Sequence, residues 1–230
     1  MNLEQFFSTY PKVAVAFSGG IDSTWLLHEA IRCGADVKAY YVKSQFQPQA
    51  EPEEIREIAA RLGAKLEMLN IDVLSDETVT ANPPDRCYYC KHRLFSTLIS
   101  RAAADGIDVV LDGTNASDPE DDRPGMRALR ELNVYSPLKE AGLTKADIRA
   151  AAKAAGLPEW SKPAAACLAT RVLGGAVITQ DKLSRIDRAE TAMASLGFTD
   201  FRVRMTQQGA ALLQLTKDQL PMALEHRVRI

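Results

Sequence analysis

The run Val13-Ala14-Val15-Ala16-Phe17-Ser18-Gly19-Gly20-Ile21-Asp22-Ser23 constrains what this 230-residue chain can fold into more than any other segment. VAVAF is short and continuously apolar, the pattern of a parallel strand covered on both faces. From Ser23 to about Arg32 the spacing predicts a helix, closed by Gly34. A strand that turns into a helix through two glycines gathers successive backbone N–H groups and the positive helix end around one point. The glycines also let the backbone approach a ligand closely. Such a turn is an anion cradle. Ser18 and Ser23 add hydroxyl donors, and Asp22 is placed to hold a magnesium ion. It is not a Walker A loop, because no Gly-Lys-Ser/Thr closes it. The bland alternative is an ordinary glycine-rich turn.

The alternation continues beyond this turn. Val37 to Val42 reads as a strand, Glu51 to Leu62 as a helix ending at Gly63, Lys65 to Leu69 as a strand, Lys91 to Ala104 as a helix, and Asp108 to Leu111 as a fourth strand. This order predicts an α/β fold: a parallel sheet with helices on both faces and its ligands at the carboxyl ends of the strands. Three stretches break the rhythm, Asn70 to Cys90, Asp112 to Gly125 and Gly156 to Gln180, and loops this long are functional or disordered. After Thr179 the pattern becomes a helix from Gln180 to Leu196, then a hairpin of FRVRM and ALLQL. The expected division is a main domain over 1–178 and a small α+β domain over 179–230.

Composition narrows the function. With 28 basic against 30 acidic residues and no basic tract, the chain lacks the footprint of a nucleic-acid binder. No apolar run approaches the roughly 20 residues that span a bilayer. MNLEQFFSTYPK has no cationic segment before a hydrophobic stretch, so a cytoplasmic protein is expected. There its four cysteines stay reduced unless they bind metal or do chemistry.

Cys87 and Cys90 form a C-x-x-C pair at a helix start, and Cys167 lies far along the chain in KPAAACLATR. Two close thiolates and one distant one can hold three irons of a [4Fe-4S] cluster, leaving the fourth open to an extra sulfide. Zinc, with His92 completing a Cys3His set, is a second reading. Three reduced buried cysteines, or a redox dithiol, is a third. The helix start, Arg86 and Lys91 would stabilise thiolate in the metal-bound cases, and Cys33 reads as apolar packing. The string Asp112-Gly113-Thr114-Asn115-Ala116-Ser117-Asp118-Pro119-Glu120-Asp121-Asp122-Arg123-Pro124-Gly125 follows a strand end, on the same edge as the SGG turn. It reads either as a nucleotide or magnesium site or as a solvated acidic loop.

Together, SGGIDS, PPDRCYYCK, DGTNASDPEDDRPG, SPLKEAGL, GLP and KPAAACLATR resemble the LarE family of ATP-dependent sacrificial sulfur transferases, over about residues 12 to 215. That family belongs to the PP-loop ATP pyrophosphatases, with an adenine nucleotide alpha hydrolase-like sheet. The resemblance implies nucleotide binding by Ser18, Gly19, Gly20, Asp22, Ser23, Gly113 and Asn115, with Asp22 and Ser23 also catalytic and with Mg2+. It implies that ATP adenylates a carboxylate of a pyridinium dicarboxylate mononucleotide and that sulfur then displaces AMP, in nickel-pincer nucleotide synthesis. One type of member surrenders the sulfur of a single cysteine, which Cys167 matches. A second type carries three cysteines and a [4Fe-4S] cluster, which Cys87, Cys90 and Cys167 match. Glu190, Arg202 and Arg204 fall where the family has a Glu and an Arg-x-Arg pair near its anionic substrate, although RVR is also the solvent face of an alternating strand. The resemblance also implies a homo-oligomer.

Two departures stand out. Gln214 occupies a place where the family has an acidic residue, and the chain stops at Ile230, short of a usual extension, which leaves a related substrate open. Rival readings are a tRNA thiolase, which needs an RNA-binding surface, an ammonia-using amide ligase, which needs no cysteines, and a non-catalytic zinc or nucleotide module.

Overall fold

The computed structural model describes residues 1–118, 124–163, 166–206 and 209–230. In chain order its elements are α1 (Leu3–Thr9), β1 (Lys12–Ala16), α2 (Ile21–Arg32), β2 (Asp36–Lys43), α3 (Glu51–Arg61), β3 (Lys65–Asn70), α4 (Glu77–Thr80), α5 (Arg86–Ala104) and β4 (Val110–Leu111). There follow α6 (Pro124–Glu131), α7 (Pro137–Glu140), α8 (Lys145–Ala154), α9 (Gln180–Ser195), β5 (Arg202–Met205), β6 (Ala211–Gln214) and α10 (Leu220–Glu225). They form two compact units. One comprises Met1–Ser44, Ala50–Ile71 and Asp85–Ala164; the other comprises Gln45–Gln49, Asp72–Pro84 and Ala165–Ile230.

The first unit holds a four-stranded parallel sheet in the order β3-β2-β1-β4. Alternation along β1 sends Val13 and Val15 into one core with Leu26 and Leu27 of α2, Ile55 and Ile58 of α3 and Ile148 of α8. Ala14 points the other way, into a core with Tyr40 and with Leu98 and Ala102 of α5. Both faces are therefore covered, which is why β1 is apolar throughout. Truncating a fully buried side chain such as Leu27 or Ile55 to alanine costs about 2–5 kcal/mol. Strands β2 and β3 are added on one side of β1 and β4 on the other. The order thus reverses between β1 and β4, the topological switch point at which an open α/β sheet binds ligands.

Two boundaries differ from expectation. Pairing of the fourth strand is confined to Val110–Leu111 rather than starting at Asp108. Helix α5 begins at Arg86 rather than Lys91, because Tyr88 N–H already bonds the Asp85 carbonyl at 2.8 Å. Helices α6, α7 and α8 occupy a stretch to which periodicity assigned nothing. The start of α8 was nonetheless encoded, by a capping box in which Thr144 and Asp147 satisfy each other's backbone N–H groups.

A charged network ties β2 and β3 to the end of α5. Lys38 Nζ lies 2.5 Å from Glu67 and 2.6 Å from Asp105, Tyr40 Oη donates to Asp105 at 2.5 Å, and Arg101 reaches Glu67 at 2.5 Å and Asp105 at 3.0 Å. The Lys38 and Tyr40 hydrogen bonds hold the Asp105 carboxyl below its ordinary range, and Arg101, with Lys38, does the same for Glu67. Burial and the Asp105 contact push Tyr40 up to about 12.

In the second unit α9 and the antiparallel β5–β6 hairpin, with Val203 opposite Leu213, enclose a core of Met193, Phe198 and Val203. The expected helix and hairpin are both present. Two earlier loops join them. Leu168 N–H bonds Phe46 O and Ile178 N–H bonds Thr80 O, each at 2.8 Å. Buried Asn82, at φ +55°, donates its side-chain amide to Leu173 O at 2.9 Å. No helix among the described residues is long and apolar enough to cross a membrane.

Candidate active site

Between β1 and α2 the chain folds around one hydroxyl. Ser23, 4% exposed, accepts the Ser18 backbone N–H at 3.2 Å, lies 3.1 Å from Ser18 Oγ, and donates to Gly20 O at 3.1 Å. Gly19 sits at φ +65°, and a Cβ there would lie 2.5 Å from Ile55 Cδ1. Only glycine meets both demands. Gly20 then caps α2 with extended backbone, so no cap side chain takes up the first N–H groups of α2, the groups that a helix start turns to an anion.

The turn after β4 closes on this loop. A Cβ on Gly113 would stand 3.0 Å from the Ser23 nitrogen and 3.2 Å from Asp22 Cβ, so the DGTN backbone rests directly on the first turn of α2. Asn115 Nδ2 reaches Asp22 Oδ1 at 3.4 Å, while Asn115 Oδ1 accepts Ser117 N–H at 2.9 Å. Asp112 takes no part in this cluster. Its carboxylate is engaged by Ser136 Oγ at 2.6 Å and by the Thr114 hydroxyl. Pro119, Glu120, Asp121, Asp122 and Arg123 of the acidic stretch lie outside the described residues.

Two lysines that sequence reasoning missed complete the surroundings. Lys145, the first residue of α8, is ion-paired with Asp22. Lys162 Nζ lies 2.8 Å from Glu54 Oε1 and 3.4 Å from the Gly19 carbonyl. The Thr144 cap marks Lys145 as a helix start, but no local signal marks Lys162. The cluster can therefore present backbone N–H groups, two hydroxyls, one carboxylate and two ammonium groups to an anionic ligand.

No disulfide joins any of the four cysteines. Cys87 and Cys90 sit three residues apart on the first turns of α5, hence on one helix face, and Arg86 Nη2 lies 3.5 Å from Cys87 Sγ. Burial pushes the Cys33 thiol up, in keeping with a packing role. His92 Nδ1 lies 3.5 Å from Ser96 Oγ. Within either unit, among the described residues, no three His, Cys, Asp or Glu side chains gather as a metal-holding group.

In the second unit Cys167 opens a short 3-10 turn over Leu168–Arg171, its carbonyl accepting the Thr170 hydroxyl at 2.7 Å. Arg202 and Arg204 share one face of β5, opposite buried Val203 and Met205. Arg204 spans Gln214 Oε1 and Thr170 O, each at 2.7 Å. Glu190 is held by Arg171 instead, at 2.7 Å. Arg171 and Gln214 are thus the partners that periodicity could not assign. Both Arg204 and Glu190 connect back to the turn that carries Cys167.

Residues 7–118 match the family model described as asparagine synthase. The chain is 37% identical over 223 residues to the uncharacterized protein slr1717 of Synechocystis sp., covering 95% of this chain and 82% of that protein. It is 30% identical over 217 residues to the uncharacterized protein MJ0830 of Methanocaldococcus jannaschii, covering 94% and 82%. It is also 39% identical over 195 residues to the pyridinium-3,5-bisthiocarboxylic acid mononucleotide synthase of Lactiplantibacillus plantarum, covering 84% of this chain and 71% of that protein. The chain belongs to the LarE family. The LarE-type SGGIDS loop and the DGTNASD turn that meets it both lie inside the matched 7–118 segment, so the first unit contains the family's ATP-utilising PP-loop domain. Cys167, Glu190, Arg202 and Arg204 lie beyond that match.

Proposed function

We propose that the protein is an ATP-dependent sulfur transferase that turns a carboxylate of a pyridinium dicarboxylate mononucleotide into a thiocarboxylate, a step of nickel-pincer nucleotide synthesis. The observation that carries this reading is the convergence of Ser18, Ser23, Asp22, Gly113 and Asn115 at the switch point of the sheet, in a chain 39% identical to a named synthase. A substrate carboxylate oxygen attacks the α-phosphorus of ATP and pyrophosphate leaves. The N–H groups of the SGG loop and the hydroxyls of Ser18 and Ser23 hold the leaving pyrophosphate, and Asp22, paired with Lys145 in the free protein, would exchange that partner to hold Mg2+. Sulfur then adds to the activated carbonyl, and AMP departs with the original carboxylate oxygen.

The donor chemistry suits an iron–sulfur centre: three cysteine sulfurs outside any disulfide, two on one helix face and one at the Cys167 turn. Cys87, Cys90 and Cys167 would hold a [4Fe-4S] cluster, and the chemistry it supplies when bound is a sulfide at the iron without a protein ligand. Arg202 and Arg204, on one strand face, suit the anionic substrate, because the planar guanidinium fork matches phosphate and carboxylate. Glu190 belongs to the same substrate group, and the working form is a cytoplasmic homo-oligomer.

The test is anaerobic purification with iron, sulfide and zinc analysis, followed by turnover with Mg2+, ATP, added sulfide and the pyridinium dicarboxylate mononucleotide. Iron, AMP, pyrophosphate and a thiocarboxylate product are expected. Asp22→Asn and Ser23→Ala should each lower AMP formation by about 100-fold or more, the usual size for removing a group that stabilises transition-state charge. ADP and phosphate as products would overturn the ATP chemistry, and zinc in place of iron would reduce Cys87 and Cys90 to a structural role.

A further inference from the structure

We propose that Lys162 is a nucleotide-binding cation of the SGG cradle, parked on Glu54 in the free protein and transferred to a phosphate oxygen when ATP binds. This deepens the ATP reading above and rests on it. Lys162 stands far from the signature in sequence, yet its ammonium lies 3.4 Å from the Gly19 carbonyl, at the left-handed turn of the loop. The loop's own acid is already served, because Lys145 is paired with Asp22. Lys162 is instead held by an acid outside the loop, Glu54 on α3, at 2.8 Å.

The two halves of this residue differ in how firmly they are fixed. Its carbonyl accepts Arg149 Nη2 at 2.8 Å and its N–H bonds Glu159 O at 3.0 Å, while Arg149 also bonds the Trp160 carbonyl. Glu159 is itself paired with Arg61 at 2.5 Å. The backbone is therefore anchored and the side chain is presented. The Glu54 carboxylate is about half exposed, and an exposed ion pair contributes little and exchanges easily. A polyphosphate offers several negative charges at a site built to receive them, so it outcompetes one solvated carboxylate. Glu51, a second acid that feels the charge of Lys162, is a poorer parking site. Its carboxyl accepts the Tyr41 hydroxyl at 2.9 Å, and burial raises its pKa.

The arrangement makes two substitutions act in opposite directions. Binding of Mg2+ with a non-hydrolysable ATP analogue, and separately of adenosine, is measured on the full chain by calorimetry. Lys162→Met should weaken the ATP analogue by about 10- to 100-fold, the size of losing one hydrogen bond to a charged group, with adenosine unchanged. Glu54→Gln should tighten the analogue, because it frees the ammonium. Both effects should shrink at high salt. Unchanged affinity in Lys162→Met, or unchanged or weaker affinity in Glu54→Gln, overturns the inference; should Lys162→Met fail to fold, Glu54→Gln decides alone. A wild-type protein that binds no ATP analogue overturns the ATP reading itself, a result distinct from either.

Discussion

Arg171 Nε lies 2.7 Å from Glu190 Oε1, and the same oxygen accepts the Val203 backbone N–H at 3.0 Å. One carboxylate thus joins the turn that carries Cys167 to the strand that carries Arg202 and Arg204. The pair is largely shielded, with Arg171 7% exposed. Its first role in the fold is to set where those functional candidates stand.

Arg171→Met is expected to destabilise the protein by about 2–3 kcal/mol, because it strands a shielded carboxylate without its cation. Glu190→Gln keeps an acceptor for Val203 and should cost about 1 kcal/mol. Urea midpoints at constant m-value measure both. Equal losses would mean that the charge of Glu190 contributes nothing.

The SGG loop predicts a rescue. Gly19→Ala meets two obstacles, the positive φ and the 2.5 Å approach of its Cβ to Ile55 Cδ1. ATP binding should fall by about 10-fold or more, as backbone strain of 1–2 kcal/mol at a binding loop implies. Adding Ile55→Val removes the clashing carbon but not the strain. The double variant should therefore regain part of the affinity and never all of it. Full recovery would show that φ is irrelevant at this position.

Acid sensitivity follows from the network around Lys38. Glu67 and Asp105 have carboxyl groups held below their ordinary values in the fold by Arg101, Lys38 and Tyr40. A depressed carboxyl contributes stability that is present above its unfolded value, near 4, and is lost as pH falls through the folded value. Unfolding free energy should thus drop below about pH 4, and Glu67→Gln should flatten that drop. Lys38, whose pKa is raised by Asp105 and Glu67, gives the mirror effect. Its share is intact below its ordinary value and is lost as pH rises through the folded one. Urea titrations at neutral and acidic pH test the sign.

Cysteine chemistry separates the two ways of supplying sulfur. Cys87→Ser, Cys90→Ser and Cys167→Ser should each lose the brown chromophore of anaerobically prepared protein, whereas Cys33→Ser, at a packing position, should keep it. With sulfide present the wild type should turn over repeatedly, and mass spectrometry should find Cys167 intact. Dehydroalanine at Cys167 after one turnover would identify the residue itself as the donor.

What the chain determines by itself is local. The apolar run before Ser18, the two glycines, the helix period after Ile21 and the alternation of Arg202-Val203-Arg204-Met205 each act within a few residues, so strand, cradle, helix and hairpin are legible from sequence. The same holds for the cap at Thr144, although periodicity alone passed over the short helices between Pro124 and Ala154. What tertiary structure decided is which distant group answers each of these elements. Lys145 meets Asp22 across 123 positions, Lys162 meets Gly19 across 143, and Arg204 meets Thr170 across 34. No periodicity encodes such pairings. They arise because the sheet order brings the ends of β1 and β4 together and because packing fixes where α8, the Lys162 segment and β5 present their side chains. The charge of a lysine can be read from one letter, but the partner that gives the charge its use is set only when the chain returns.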